Sequence, residues 1–377
     1  MNFIAVSLVA LVLATLFAYI ADNNSSANEL ALNGKRYDTV FIFLSFFVLF
    51  AISATRVDLG DTIIYAHRIF PDIGRDGMFS GREDPIANAG IYILFKIWPN
   101  AQIMIIATSL ITLGLLFRMF AKYSSRLHMT VFLFIASNVF ETSMNATVQF
   151  VAVGVSTFAI EAARQKKLFK FLLFIVIASL IHQSAIIMLP VYWMINAPIW
   201  SLKIKIIFWT GLILGGTYFT WLPLLNRLLA LTRMGTYQEY MAAAGAGINI
   251  FRIPVIMVPV IFSWMGRKKI AEKYPHLTPI VHMSVVNAAC YFIALNHWLF
   301  GRLTFFLEIY NFAMLPIIIE CAFEDIQTRK TVESLAYVMY FLFFCYQLFF
   351  LRGNGGVLLN CFTNPFPDVS YVTWGTS

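Results

Sequence analysis

Charge is scarce in this chain. Charged residues make up 12% of its 377 residues and hydrophobic residues 60%, where a soluble domain carries roughly 25% charged residues. The deficit runs along the whole length, which leaves no room for a large soluble domain and implies a single membrane domain over residues 1–377. Cysteine is also sparse. Cys290, Cys321, Cys345 and Cys361 have no paired spacing, and three lie in apolar runs, so they read as packing residues rather than a metal site or a disulfide framework. Motifs of soluble chemistry are missing. There is no Asp-x-Asp to hold a metal and a nucleotide sugar, no Gly-x-Ser-x-Gly elbow and no P-loop. No cofactor and no metal are implied. The net charge of +8 does not indicate nucleic acid, because no basic patch sits on a soluble face. Met1–Ile20 is uncharged, with no basic leader and no small-residue cleavage signal, and reads as a retained first span.

What the chain does have is apolar runs. A span needs about 20 apolar residues, and ten candidates meet or approach that: Met1–Ile20, Thr39–Thr55, Ala101–Phe117, Met129–Phe140, Thr142–Ile160, Ile206–Asn226, Ile253–Gly266, Leu277–His297, Leu303–Phe323 and Ser334–Leu351. The stretch Phe171–Leu202 has no Lys, Arg, Asp or Glu. It is too long for one helix and short for two. Basic residues decide between these. The clusters Arg164–Lys170 and Arg267–Lys273 both belong in the cytoplasm by the positive-inside rule, so an even number of crossings separates them. Phe171–Ile181 and Ser184–Asn196 are therefore predicted as two short helices meeting outside the membrane near His182. The expected architecture is all-α, with about twelve spans, both termini outside and 17 of the 27 Lys and Arg residues on the cytoplasmic side. Two long outer loops, about 56–85 and 227–251, and a short outer tail, 353–377, are expected. The weak apolar run Ile86–Trp98, interrupted by Lys96, reads as an interfacial or re-entrant helix.

The leftover polar residues fall on the outer side of this scheme. Arg56 and Asp61 follow the second span. Glu141, Asn145 and Gln149 sit at an outer turn, with Asn145 and Gln149 four apart and so on one helix face. His182 is at the hairpin tip, Arg252 opens a span, and His297 and Arg302 flank the turn Asn296–Gly301. Ionisable residues at membrane depth are costly and are functional candidates by default. Each also has a structural reading. The arginines can snorkel, Asn145 and Gln149 can bond neighbouring helices, and His182 can cap its turn. His128, His276 and His282 read as core residues. Arg68, Arg75, Asp72 and Asp76 read as a solvated loop face. Chemistry outside the membrane without a metal motif calls for a pre-activated, lipid-borne donor. Arginines suit a lipid diphosphate, since guanidinium matches phosphate oxygens bidentately.

Several strings resemble the EpsG/Wzy-like polysaccharide polymerases. Arg56-Val-Asp-Leu-Gly60-Asp61-Thr62-Ile-Ile-Tyr65 is similar to their Arg…Gly-Thr/Ser-Asp…Tyr signature after the second span. Ile86–Trp98, with Gly90, Tyr92 and Leu94, is similar to the E-P-G helix that comes next in the family. Asn145–Ala152 resembles N-x-x-R-Q-x-x-A, Leu180–Pro190 resembles f-H-x-S-a-l-i-x-l-P, and Arg302–Tyr310 with Pro316 resembles a late R-l-x-x-Y-f…P span. The matches run in order from Arg56 to Pro316. Two positions depart from the pattern. Asn88 or a neighbour stands for the acidic residue, with Glu83 and Asp84 as substitutes, and Val148 stands for the Arg of R-Q. The resemblance implies a fold like the GT-C membrane glycosyltransferases and joining of undecaprenyl-diphosphate-linked repeat units on the outer face of the bacterial cytoplasmic membrane, without a cofactor. It implies catalytic places for Asp61, His182 and Arg302, and substrate-binding places for Arg56, Tyr65, Asn145 and Gln149. Glu141, Arg252 and His297 join the expected substrate-binding residues from the clustering on the outer side alone. The expected partners are the lipid-linked glycan donor and acceptor, membrane lipid, a flippase and a chain-length regulator. Two other functions remain open at this point. A flippase or exporter of the same glycan would spread polar residues through the bilayer depth. A membrane acyltransferase would need a polar pore to a cytoplasmic donor.

Overall fold

The computed structural model describes residues 3–27, 35–56, 59–78, 84–230 and 247–351. The expected outer tail, most of the second long loop, Glu83 and Cys361 lie outside the described residues. The described chain is helical apart from a two-residue antiparallel pairing, Ser26–Ala27 with Lys35–Arg36. Among the described residues, five helices are long and apolar enough to cross a membrane: Ile4–Asn23, Gln102–Tyr123, Pro275–Ala294, Trp298–Ala322 and Ile326–Phe350. Two helix pairs qualify only when joined, which raises the number to seven. The protein is an all-α, multi-pass membrane protein.

Several predicted spans take a different form. Met129–Phe140 is instead a ten-residue helix, Leu127–Ala136, with a rise of about 15 Å. It stops where Asn138 turns left-handed at φ 69°, a conformation that Asn tolerates better than most residues. Thr142–Ile160 is not one continuous helix. Val139–Asn145 and Thr147–Arg164 meet at 118°, with Ala146 at φ −83°, ψ 56° between them. Asn145 and Gln149 therefore do not share a helix face, because the break lies between them. Ile206–Asn226 is likewise bent by 90°, between Leu202–Gly216 and Tyr218–Leu228. In the ambiguous stretch, helix Leu168–Ile181 ends at His182, as predicted. A tight turn of helix, Gln183–Met188, comes next and then Val191–Ile195, in place of one second helix. The interfacial run is a 13-residue helix, Pro85–Ile97.

The chain divides into two compact units. The first runs to Leu189 and resumes from Ser334. In it Thr39–Ala54 packs on Phe3–Asn23 and Gln102–Tyr123, which in turn packs on Thr147–Arg164. Leu168–Ile181 also packs on Thr147–Arg164. The helix Leu127–Ala136 is almost wholly enclosed and lies against Phe3–Asn23.

The second unit is Pro190–Glu333. The antiparallel pair Thr278–Ala294 and Trp298–Ala322 forms its centre, flanked by Leu202–Gly216 and Arg252–Met265. Gly211 and Gly215 are four apart, and a Cβ on either would lie 2.4 Å from the backbone of Ala289 or Phe292. This is the small-residue contact by which membrane helices approach closely.

Candidate functional site

In the first unit the broken helix is the hub of the polar residues. A helix that stops after Asn145 leaves its last carbonyls without intrahelical partners. The Met144 carbonyl accepts from Thr62 Oγ1 at 3.0 Å and from Thr147 Oγ1 at 2.9 Å. Both hydroxyls in turn accept from Arg56, Thr62 from Nε at 3.3 Å and Thr147 from Nη2 at 3.0 Å. Nη1 of Arg56 donates to the Ser53 carbonyl at 2.5 Å, to Ser53 Oγ at 2.9 Å and to Ser109 Oγ at 2.8 Å. Arg56 is only 1% exposed, and all three of its guanidinium nitrogens are engaged. It faces a pocket lined by Ser53, Thr108, Ser109, Thr112, Ser143 and Thr147. Its charge lies by the C-terminal end of Val139–Asn145, where a cation is stabilising.

The same break positions Asp61. Asn145 Oδ1 accepts the Asp61 backbone N–H at 2.7 Å, which fixes the start of the short helix Asp61–Ile64. The preceding Gly60 has φ 55° and ψ −127°, a backbone open essentially to glycine alone. Tyr65 begins a wider turn, Tyr65–Ile69, and packs against the apolar cluster around Phe70 and Ile91. On the other side of the break, Gln149 Nε2 donates to Ser184 Oγ at 3.0 Å, and that hydroxyl lies 2.8 Å from His182 Nδ1. Asp84, at the start of Pro85–Ile97, accepts the Gln183 N–H at 3.1 Å. Asn145, Thr147 and Gln149 thus connect Asp61, Arg56 and His182 through one five-residue segment. Glu141, one turn earlier, is buried and faces elsewhere, onto a small cavity with Asn138, Met144 and Phe344.

The remaining sequence candidates belong to the second unit and form two groups. His297 and Arg302 meet on Trp298. The imidazole stacks on the indole at 5.8 Å, and the Arg302 guanidinium lies 5.1 Å from the indole centroid. Arg252 is held by a tyrosine and a carboxylate. Its Nη1 donates to Tyr291 Oη at 2.9 Å, and Tyr291 donates to Glu308 Oε2 at 2.7 Å. Arg252 and Glu308 are 3.8 Å apart, and both are largely buried. The loop before Arg252 rejoins the turn through Ile248 N–H, which donates to the Ala294 carbonyl at 3.0 Å.

Sequence reasoning missed Thr147, Ser109, Ser184, Trp298, Tyr291 and Glu308. Glu308 carried the one usable signal, a carboxylate inside an otherwise apolar run. The hydroxyls carried none, since serine and threonine are common in membrane helices.

The EpsG family model matches residues 39–359, a span that contains every residue of these three groups. The chain belongs to the EpsG family. Among curated proteins and among solved structures, nothing matches it significantly. The family membership agrees with the resemblance drawn from the strings at Arg56, His182 and Arg302. Within this EpsG-family chain, the string around Asn145 corresponds to the helix break, and the string around His182 to the turn that Gln149 holds.

Proposed function

We propose that this EpsG-family protein is a polysaccharide polymerase. It joins undecaprenyl-diphosphate-linked oligosaccharide repeat units on the outer face of the bacterial cytoplasmic membrane, by glycosyl transfer that needs no metal. The observation that carries the reading is the helix break at Ala146, where Asn145 and Gln149 tie a carboxylate turn and a histidine turn to one buried segment. A site for group transfer needs groups held in register, and side chains bonded across the break supply that. The growing glycan on its lipid diphosphate is the donor, and a sugar hydroxyl of a new lipid-linked unit is the acceptor. Asp61 and His182 are the groups in place to handle the acceptor proton. Arg302 stabilises the charge that gathers on the departing diphosphate, and Arg252 and His297 contribute to the substrate surface. Tyr65 and Glu141 shape the surroundings of that surface. Arg56, with every nitrogen engaged, acts by holding the break together. We extend the reading to twelve crossings of a single GT-C-like membrane domain, with the short apolar helices completing the crossings, and to cooperation with a flippase and a chain-length regulator. A flippase would need a polar path through the bilayer depth. The tie between the Asp61 and His182 turns favours a localised reaction instead.

The test is the product ladder. Loss of the protein leaves lipid-linked glycan no longer than one repeat unit, accumulating outside. Arg302→Lys and Arg302→Ala both abolish long-chain product at normal protein abundance, because lysine lacks the planar fork. The loss of one preorganised contact costs about 100- to 1000-fold in rate. Arg227→Lys, at an exposed position, leaves the ladder unchanged. A full ladder from Arg302→Lys would overturn the role of Arg302, and single units confined to the inner leaflet would make the protein a flippase.

A further inference from the structure

His297 and His182 share a local geometry that bears on how a histidine can act here. Each ends an extended residue and opens a helical turn, with φ −156° and ψ 129° at His297 and φ −152° and ψ 118° at His182. Each accepts a backbone N–H on Nδ1 from the residue two further on, Leu299 at 3.2 Å and Ser184 at 3.3 Å. A ring nitrogen that accepts a backbone N–H cannot itself carry a proton. The neutral ring therefore keeps its hydrogen on Nε2. Taking up a second proton would turn Nδ1 into a donor facing another donor and break the cap. His297 is only 4% exposed, and its Nε2 has no hydrogen-bond partner among the described residues. A buried donor left without an acceptor costs free energy. Its neighbours on the same turn are Trp298 and, on that indole, Arg302.

We infer that His297 serves as a neutral hydrogen-bond donor, presenting Nε2–H to an oxygen of a diphosphate beside Arg302, and that His182 is set in the same tautomer. This rests on the polymerase reading and narrows it. Neither histidine takes the acceptor proton. In the transfer, the acceptor hydroxyl oxygen bonds to the anomeric carbon, and the bond from that carbon to the phosphate oxygen breaks. The electron pair leaves on the diphosphate, and the hydroxyl proton passes to a carboxylate base.

Two substitutions separate a donor from a base and from a plain cap. His297→Asn keeps an oxygen that can cap the helix, but its amide does not reach the place of Nε2. His297→Gln places an N–H near Nε2 and caps poorly. The purified full-length protein is titrated with undecaprenyl diphosphate and, separately, with inorganic pyrophosphate, alongside thermal unfolding and the product ladder. Binding of both shows that the diphosphate alone is recognised, and binding of the first alone shows that the lipid is needed too. The expected result is that His297→Asn unfolds like wild type but binds the diphosphate about tenfold more weakly. His297→Gln unfolds at lower temperature yet keeps most of the binding and a visible ladder. Wild-type binding and a full ladder in His297→Asn would reduce His297 to a cap. Intact binding in both variants with no ladder in either would make it a proton acceptor and overturn the inference. The binding arm decides this even for a wild type that yields no polymer, an outcome that would instead count against the polymerase reading.

Discussion

Asn145 Oδ1 accepts the backbone N–H of Asp61 at 2.7 Å, across 84 residues of sequence. The amide of one broken helix thereby sets where the carboxylate turn begins. Gly60, just before it, leaves no space: a Cβ there would lie 2.0 Å from Asn145 Oδ1, on a backbone with φ 55°. Gly60→Ala should therefore shorten the ladder, through a local cost of roughly 1–3 kcal/mol. Asn145→Ala should shorten it as well, by releasing the Asp61 turn. The two effects share one contact, so the double variant should be no worse than Gly60→Ala alone. Initial polymerisation rates of the three variants check this, and strictly additive losses would show the two residues to be independent.

Arg56 and Arg302 look alike in sequence and should behave oppositely. Removing Arg56 strands the hydroxyls of Ser53, Thr62, Ser109 and Thr147 around a buried void. Arg56→Leu should cost on the order of 3 kcal/mol of stability, read as a lower unfolding temperature of the purified protein and reduced abundance in membranes. Arg302→Ala, at a half-exposed site whose guanidinium rests on Trp298, should unfold like wild type and fail only in polymerisation.

The Arg252–Glu308 pair tests whether a buried charge is there for support or for substrate. Glu308→Leu leaves a buried arginine without its counter-charge and should destabilise the protein by about 3–5 kcal/mol. Arg252→Met combined with Glu308→Leu removes both charges and should recover most of that loss, since apolar replacements of a buried pair are often neutral. If Arg252 contacts substrate, the ladder stays short in the double variant despite restored unfolding temperature. A restored ladder would assign the pair to support alone.

The legible part of the fold was its apolar content and its punctuation. The first two helices, the turn at His182 and the helix after Asp84 announce themselves through length, charge or proline. The break at Ala146 does not, because the sequence there, Asn145-Ala-Thr147, has neither glycine nor proline. What holds it open is Arg56 and Thr62, which are remote in sequence. The same gap explains the reading of Arg56 as a substrate contact. Position and charge mark an arginine as unusual, but only its hydrogen-bond partners show that no nitrogen is spare. Glu308 had a local mark, a carboxylate in an apolar run, but its partners, Tyr291 and Arg252, come from separate helices, so its role did not show in the string around it.

The ten-residue helix Leu127–Ala136 has a further consequence. A helix exposed to lipid must match the hydrocarbon thickness, about 30 Å, or tilt and strain to fit. This one rises only about 15 Å and is enclosed by protein on nearly every side. Its ends answer to neighbouring side chains rather than to headgroups, and so does the break just after it. The positions of Asn145 and Gln149 are thus set by packing within the protein and should not track the membrane around it. Activity in vesicles of shorter or longer acyl chains should accordingly vary less than the mismatch of the long lipid-facing helices alone would impose.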